Sequence, residues 1–143
     1  MGEMAVSEVF ENWYIDIETF KCITNDITTD EVIITEERIQ HIKERHNNDF
    51  FEIQPYIQDI LSMPDYILAD SKRENTGLIL KQITENNGLK VQVVLRVHTS
   101  KDRKGLKNSI ISAWKISDSR WNNYLRNKKF FTNLNKFSII YIG

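Results

Sequence analysis

Four residues of this chain carry the groups needed to act on a phosphodiester. The His46 imidazole can exchange protons near neutral pH. Lys81 and Arg96 are cations that can hold phosphate oxygens, and Ser112 is a hydroxyl donor. Trp114, two residues further on, offers a surface on which a base can stack. Other chemistries fit less well. His41 and His46 are five residues apart, so on a helix they diverge by more than about 100°, whereas HExxH-type metal pairs need i, i+4 spacing. Glu44 does not repair this, and one cysteine with three scattered histidines makes a zinc site improbable. No metal or cofactor is therefore expected. There is no glycine-rich phosphate loop, and Ser112 lacks the flanking glycines of a nucleophile elbow.

These residues need elements to position them. Residues 13–23 are rich in aromatic and β-branched side chains and predict one or two N-terminal strands. After a short extended entry at residues 32–34, Thr35 reads as an N-cap, with Glu36 and Glu37 in the first turn, where the helix dipole favours carboxylates. That helix runs to about His46, with Ile39, Ile42 and His46 on one stripe, so that Arg45 points aside. A second helix is expected from near Pro55 until Pro64 stops it. Strands follow at residues 66–69, 77–84, 89–98 and 109–115, with Asn87-Gly88 as a hairpin signal between the second and third. Ser117 caps a late helix to about Arg126, and residues 137–142 predict a last strand. The pattern is α+β: N-terminal strands and two helices, then an antiparallel meander with a late helix.

Alternation places the side chains on faces. Leu89, Val91, Val93, Leu95 and Val97 form one face of their strand, while Arg96 shares the other with Val94. Lys81 lies with Ile79 and Ile83; Ser112 lies with Ile110 and Trp114, and Ser109 with Ile111 and Ala113. If the registers align, one sheet face packs on helices and the other presents Lys81, Arg96, Ser112 and Trp114. Two plainer readings compete. The cations can be long side chains of an amphipathic sheet reaching for solvent, and His46 can be a buried, hydrogen-bonded histidine.

Composition bounds the function classes. The 143 residues suit a single domain, residues 1–143, with residues 1–12 a candidate flexible or non-native extension. No run of 18 apolar residues occurs and no secretory signal is expected at the start, so no membrane partner is implied. A lone Cys22 fits a reducing compartment. The net charge of −1 hides an uneven distribution: residues 1–70 hold 4 Lys/Arg against 16 Asp/Glu, whereas residues 96–129 hold 10 Lys/Arg against 2 Asp/Glu. A local basic excess of this kind is the footprint of a phosphate-binding face, or of a basic loop facing its own acidic half.

Several stretches resemble the phage-type barnase–EndoU–colicin E5/D–RelE-like nuclease families. They are Ile34-Thr35-Glu36-Glu37-Arg38-Ile39-Gln40-His41-Ile42-Lys43-Glu44-Arg45-His46, then Pro64-Asp65-Tyr66-Ile67, Leu80-Lys81 and Val94-Leu95-Arg96-Val97. The closest is Asn108-Ser109-Ile110-Ile111-Ser112-Ala113-Trp114-Lys115-Ile116, followed by Arg120-Trp121 and Leu125-Arg126-Asn127-Lys128-Lys129. The resemblance spans residues 28–130 and implies a sheet with helices on one side and an RNA-cleaving cleft on the other. It implies metal-independent endonucleolytic cleavage in which the ribose 2′-hydroxyl attacks the adjacent phosphorus. His46 would be the acid/base group, Lys81 and Arg96 the phosphate and transition-state cations, and Ser112 a hydrogen-bond donor to phosphate where these families more often carry Thr. Asn108, Ser109, Trp114 and Arg120 follow as substrate-binding candidates. The implied setting is a cytoplasmic toxin or mobile-element effector acting on RNA, tRNA among the candidates, with a cognate immunity or antitoxin protein. The alternative function is a non-catalytic RNA- or protein-binding module; an antitoxin-like partner suits the acidic half but not the basic one.

Overall fold

A computed structural model describes residues 9–127 and 130–133 of the chain. It shows an α+β fold built on one mixed sheet of seven strands, in the spatial order β1-β2-β6-β5-β4-β3-β7. β1 (Val9–Tyr14) pairs antiparallel with β2 (Glu31–Thr35), so residues 9–12 of the supposed extension belong to the sheet. Of the one or two strands expected at residues 13–23, the end of β1 is one; a short helix follows, α1 (Ile17–Phe20), where the Asp16 carboxylate accepts from the Glu18 amide and caps it.

β2 runs directly into α2 (Glu36–His46), whose N-cap is Thr35: its Oγ1 accepts from the Arg38 amide at 3.2 Å. The expected second helix is broken. α3 (Asp49–Ile53) begins before Pro55, a 3₁₀ turn carries the proline at Gln54–Tyr56, and α4 (Ile57–Ser62) follows. A proline lacks an amide hydrogen and clashes with a preceding turn, so it is tolerated only at such a restart.

β3 (Tyr66–Ala69), β4 (Thr76–Ile83), β5 (Leu89–Arg96) and β6 (Asn108–Lys115) form the expected antiparallel meander. β6 also pairs in parallel with β2 through Val32↔Asn108 and Ile33↔Ser109. α5 (Asp118–Asn127) follows, and the Ser117 hydroxyl accepts from the Arg120 amide at 3.0 Å. β7 (Phe130–Asn133) pairs with β3. The strand expected at residues 137–142 lies outside the described residues. No helix among the described residues is long and apolar enough to cross a membrane.

Two details of register control the sheet faces. The β4–β5 connection is five residues long, a 3₁₀ turn at Thr84–Asn86 followed by Asn87 and Gly88 at positive φ, and it pairs Ile83 with Leu89. Lys81 therefore sits opposite Val91. A two-residue Asn87-Gly88 turn would instead have set it opposite Val94, on the other face. In β6 the register jumps, since Val94 pairs with Ser112 but Leu95 pairs with Ile110. Ile111 is the extra residue of a bulge, which re-aims the residues after it.

The main core lies on one face. Ile67, Ile79, Val91, Val93, Leu95, Ile110 and Ala113 pack there against Ile39, Ile42, Phe50, Ile57, Ile60 and Phe20 from α1–α4. The opposite face, which the resemblance left open for a cleft, is partly covered. Trp121 and Tyr124 of α5 pack on Leu68, Leu78, Leu80 and Val94.

Candidate active site

α2 buries Ile39 and Ile42 and so turns the neighbouring stripe, Arg38, His41 and Arg45, along its flank. These three are spaced i, i+3, i+7 and share one side of the helix. Because β2 pairs only with the start of β6, α2 lies beside the rest of β6. Between them is a cleft of about 240 Å³. Arg38, His41, Arg45 and His46 form one wall; Ile111, Ser112 and Trp114 of β6 and Val94 of β5 form the other. Arg73 enters from the β3–β4 turn.

Trp114 holds His46 by its face: the rings stack with centroids 4.7 Å apart and planes 5° from parallel. Stacking fixes the imidazole plane while leaving both ring nitrogens at the edge. Among the described residues, neither nitrogen of His46 or His41 has a hydrogen-bond partner. His98 is the contrast. It is buried, Thr28 Oγ1 lies 2.6 Å from its Nδ1, and Nε2 lies 2.7 Å from the Arg103 carbonyl. A carbonyl can only accept, so Nε2 carries the hydrogen and Nδ1 accepts from Thr28. The hydrogen-bonded structural histidine of this fold is thus His98.

The cleft is strongly cationic. Among the described residues, three guanidiniums line it and no carboxylate does. Among the described residues Arg38 and Arg45 have no acidic partner. Arg73 is tethered: its Nη1 donates to Asp70 Oδ2 at 2.8 Å, and Asp70 Oδ1 accepts from the Lys72 and Arg73 amides. No group of three or more His, Cys, Asp or Glu side chains among the described residues could hold a metal ion.

The eight residues expected to form the site do not converge. His46, Ser112 and Trp114 meet in the cleft. Lys81 does not. It lies on the α1–α4 face with Ile79 and Ile83, against the expected shared face, and its Nζ donates to the Met63 carbonyl at 2.7 Å and pairs with Asp65 at 3.5 Å. It borders a separate hollow of about 410 Å³ that also contains Asp59, Asp65 and Glu85. Arg96 is on the cleft's face but is held by both carboxylate oxygens of Asp102, at 2.9 Å each. That hydrogen-bonded pair raises Arg96 above its ordinary value and holds the Asp102 carboxyl well below its own.

Asn108 is buried and structural: it accepts from the His98 amide and donates to the Thr29 and Glu31 carbonyls. Ser109 pairs with Arg96 and Ile33, outside the cleft lining. The bulge puts Ser109 and Ser112 on the same side, and separates Ser112 from Ile110, which strict alternation had joined. Arg120 lies over the Tyr124 ring on α5 and is not part of the cleft lining.

Arg38, His41, Arg45 and Arg73 were missed. A signal for the first three was present, since Arg38 and Arg45 are two of only four Lys/Arg in an acidic 70-residue stretch and share helical spacing with His41. The 140° between His41 and His46, about five residues at 100° each, does not keep them apart here, because both border one cleft at the end of α2. For Arg73 the sequence around it carries no signal; a loop delivers it.

A family model described as phage-Barnase-EndoU-ColicinE5/D-RelE like nuclease 2 matches residues 12–131. No curated protein and no solved structure matches the chain.

Proposed function

The chain belongs to the phage-Barnase-EndoU-ColicinE5/D-RelE like nuclease 2 family and is a nuclease, and from that premise we propose that the cleft between α2 and β6 is its reaction centre and cleaves RNA internally, without a metal, by transfer to the ribose 2′-hydroxyl. The observation that carries this reading is the lining itself: two imidazoles whose ring nitrogens have no hydrogen-bond partner among the described residues, and three guanidiniums around one serine hydroxyl.

The two histidines divide acid and base work. One imidazole takes the proton of the 2′-hydroxyl, and the 2′-oxygen attacks phosphorus. The bond from phosphorus to the 5′-oxygen breaks, and the other imidazole, as imidazolium, gives that oxygen its proton. The products are a 2′,3′-cyclic phosphate and a 5′-hydroxyl. Arg38, Arg45 and Arg73 hold the non-bridging oxygens as charge develops, with Ser112 as a neutral donor. With no carboxylate among the described lining residues, the guanidiniums supply the charge that a carboxylate-bound metal ion supplies elsewhere. Trp114 fixes the plane of His46. Such an enzyme acts on cytoplasmic RNA as a toxin or mobile-element effector, and a cognate immunity protein would have to cover this cleft.

The test is incubation with tRNA and total RNA in EDTA, with the 3′ ends of the products identified. Cyclic phosphate ends are expected, DNA of the same sequence should stay intact, and His46→Ala or His41→Ala should slow cleavage by about 10²- to 10⁴-fold. Cleavage of DNA, dependence on added metal, or undiminished variants would sink the mechanism. Salt-sensitive RNA binding without product would instead identify a binding module.

A further inference from the structure

We propose that residues 99–107, within the connection between β5 and β6, form a rigid cationic arm that grips the sugar–phosphate backbone of a single strand beyond the cleft. The inference rests on the reading of the cleft as a site for RNA, and it adds a second, separate contact with the same strand.

The arm exposes Lys101, Arg103 and Lys104. Among the described residues none of the three has an acidic partner, whereas the neighbouring Lys107 is paired with Glu31 at 2.9 Å. Two other carboxylates, Asp102 and Asp26, accept from amides of the arm itself. Asp102 holds Arg96 and accepts from the Thr99 amide at 2.9 Å and from Thr99 Oγ1 at 3.2 Å. Asp26 accepts from the Ser100 amide at 3.1 Å and from Ser100 Oγ at 2.7 Å. His98 donates to the Arg103 carbonyl from below. The acidic groups therefore fix the loop's path and leave Lys101, Arg103 and Lys104 unneutralised. An ordinary solvated loop needs no such set of internal bonds, and a preordered one loses less freedom on binding.

Its position continues the cleft. Arg96, which anchors Asp102, is two residues from Val94 on the same face of β5, and Val94 is part of the cleft wall. Same-face neighbours in a strand are about 7 Å apart, so the arm starts about one side-chain position past the cleft. The β3–β4 turn that delivers Arg73 touches the same place, since the Val97 amide donates to the Asn75 carbonyl at 2.9 Å. Leu106, 50% exposed on the arm, gives a base an apolar surface.

The experiment uses fluorescein-labelled 2′-O-methyl strands, which cannot be cleaved, as a trinucleotide and a dodecanucleotide. Their affinity is read by anisotropy across a salt series. The K101Q/R103Q/K104Q variant should bind the dodecanucleotide about 10- to 100-fold more weakly, and its log–log salt slope should drop by about 2, from three phosphate contacts at about 0.7 each. Its trinucleotide affinity should be unchanged, and the charge-preserving K101R/R103K/K104R variant should match wild type on both strands. Equal loss on both lengths, or an unchanged slope, would overturn the arm. Neither readout needs turnover. Wild-type protein that shows this length dependence but leaves unblocked RNA intact defeats the cleavage mechanism and leaves the arm standing. Cleavage by wild type with undiminished binding by the triple variant does the reverse.

Discussion

At the scale of single residues, the neighbours of a side chain separate roles that its type cannot. His46 and His98 are the same imidazole. One is stacked on Trp114, its nitrogens without a partner among the described residues, and the other has both nitrogens engaged inside the fold. Lys81 and Arg38 are both cations, but Lys81 is 19% exposed and committed to Asp65 and the Met63 carbonyl. Lys81→Ala should therefore act on stability. We expect a loss of about 1–3 kcal/mol, the range for stranding a partly buried charged partner, with RNA cleavage by the folded variant close to wild type. Urea unfolding and initial rates measure the two separately, and a collapse in rate with stability intact would return Lys81 to the chemistry. Arg73→Gln should do the opposite. It should raise KM for RNA and lower the salt slope by about 0.7, the value for one phosphate contact on a single strand, while the urea midpoint moves little because the pair with Asp70 is half-exposed on the arginine side.

At the scale of elements, α2 does most to build the site, since it contributes Arg38, His41, Arg45 and His46. Its limits were legible because each has a local cause: the Thr35 cap, the carboxylates of the first turn, and the asparagine at 47. Thr35→Ala should cost about 1 kcal/mol and Thr35→Ser far less, because serine keeps the hydroxyl that accepts from the Arg38 amide. Thermal melts of both variants test this, and equal losses would mean that the threonine methyl, packed in β2, matters more than the cap. The breaks around Pro55 and the helix at Ile17–Phe20 were less legible. Short helices carry too few residues for a periodic pattern, and packing against the sheet decides them. The meander from β3 to β6 was legible because strand alternation is strong there. Its bulge at Ile111 was not, since a bulge adds one residue without changing residue types.

At the scale of the whole molecule, the charge asymmetry turns out to be divided between two surfaces. The cleft draws its arginines from the acidic part of the chain and from a loop, while the basic segment builds the arm beside it. The Arg96–Asp102 pair between them couples the arm to stability and pH. Arg96 first, and then the Thr99 amide, hold the Asp102 carboxyl below its ordinary value. A carboxyl lowered on folding contributes stability above its unfolded value of about 4, and loses that contribution as pH falls further. Asp102→Asn should thus be less stable than wild type at pH 7, and the gap should close on acidification below about pH 4. A gap in urea midpoints that stays constant from neutral to acid pH would show that the charge plays no part. Sequence alone carried the α+β class, the family, the capped α2 helix and the meander, and it offered His46, Ser112 and Trp114 as candidates without placing them in one cleft. All of these rest on local propensity, on alternation or on a recognisable order of motifs. The tertiary structure alone decided which residues meet. A five-residue β4–β5 connection, where Asn-Gly suggested two, shifts the register by an odd number of residues and turns Lys81 to the far face. The parallel pairing of β2 with only the start of β6 then lets α2 lie along the rest of that strand, and so brings Arg38, His41 and Arg45 to Ser112.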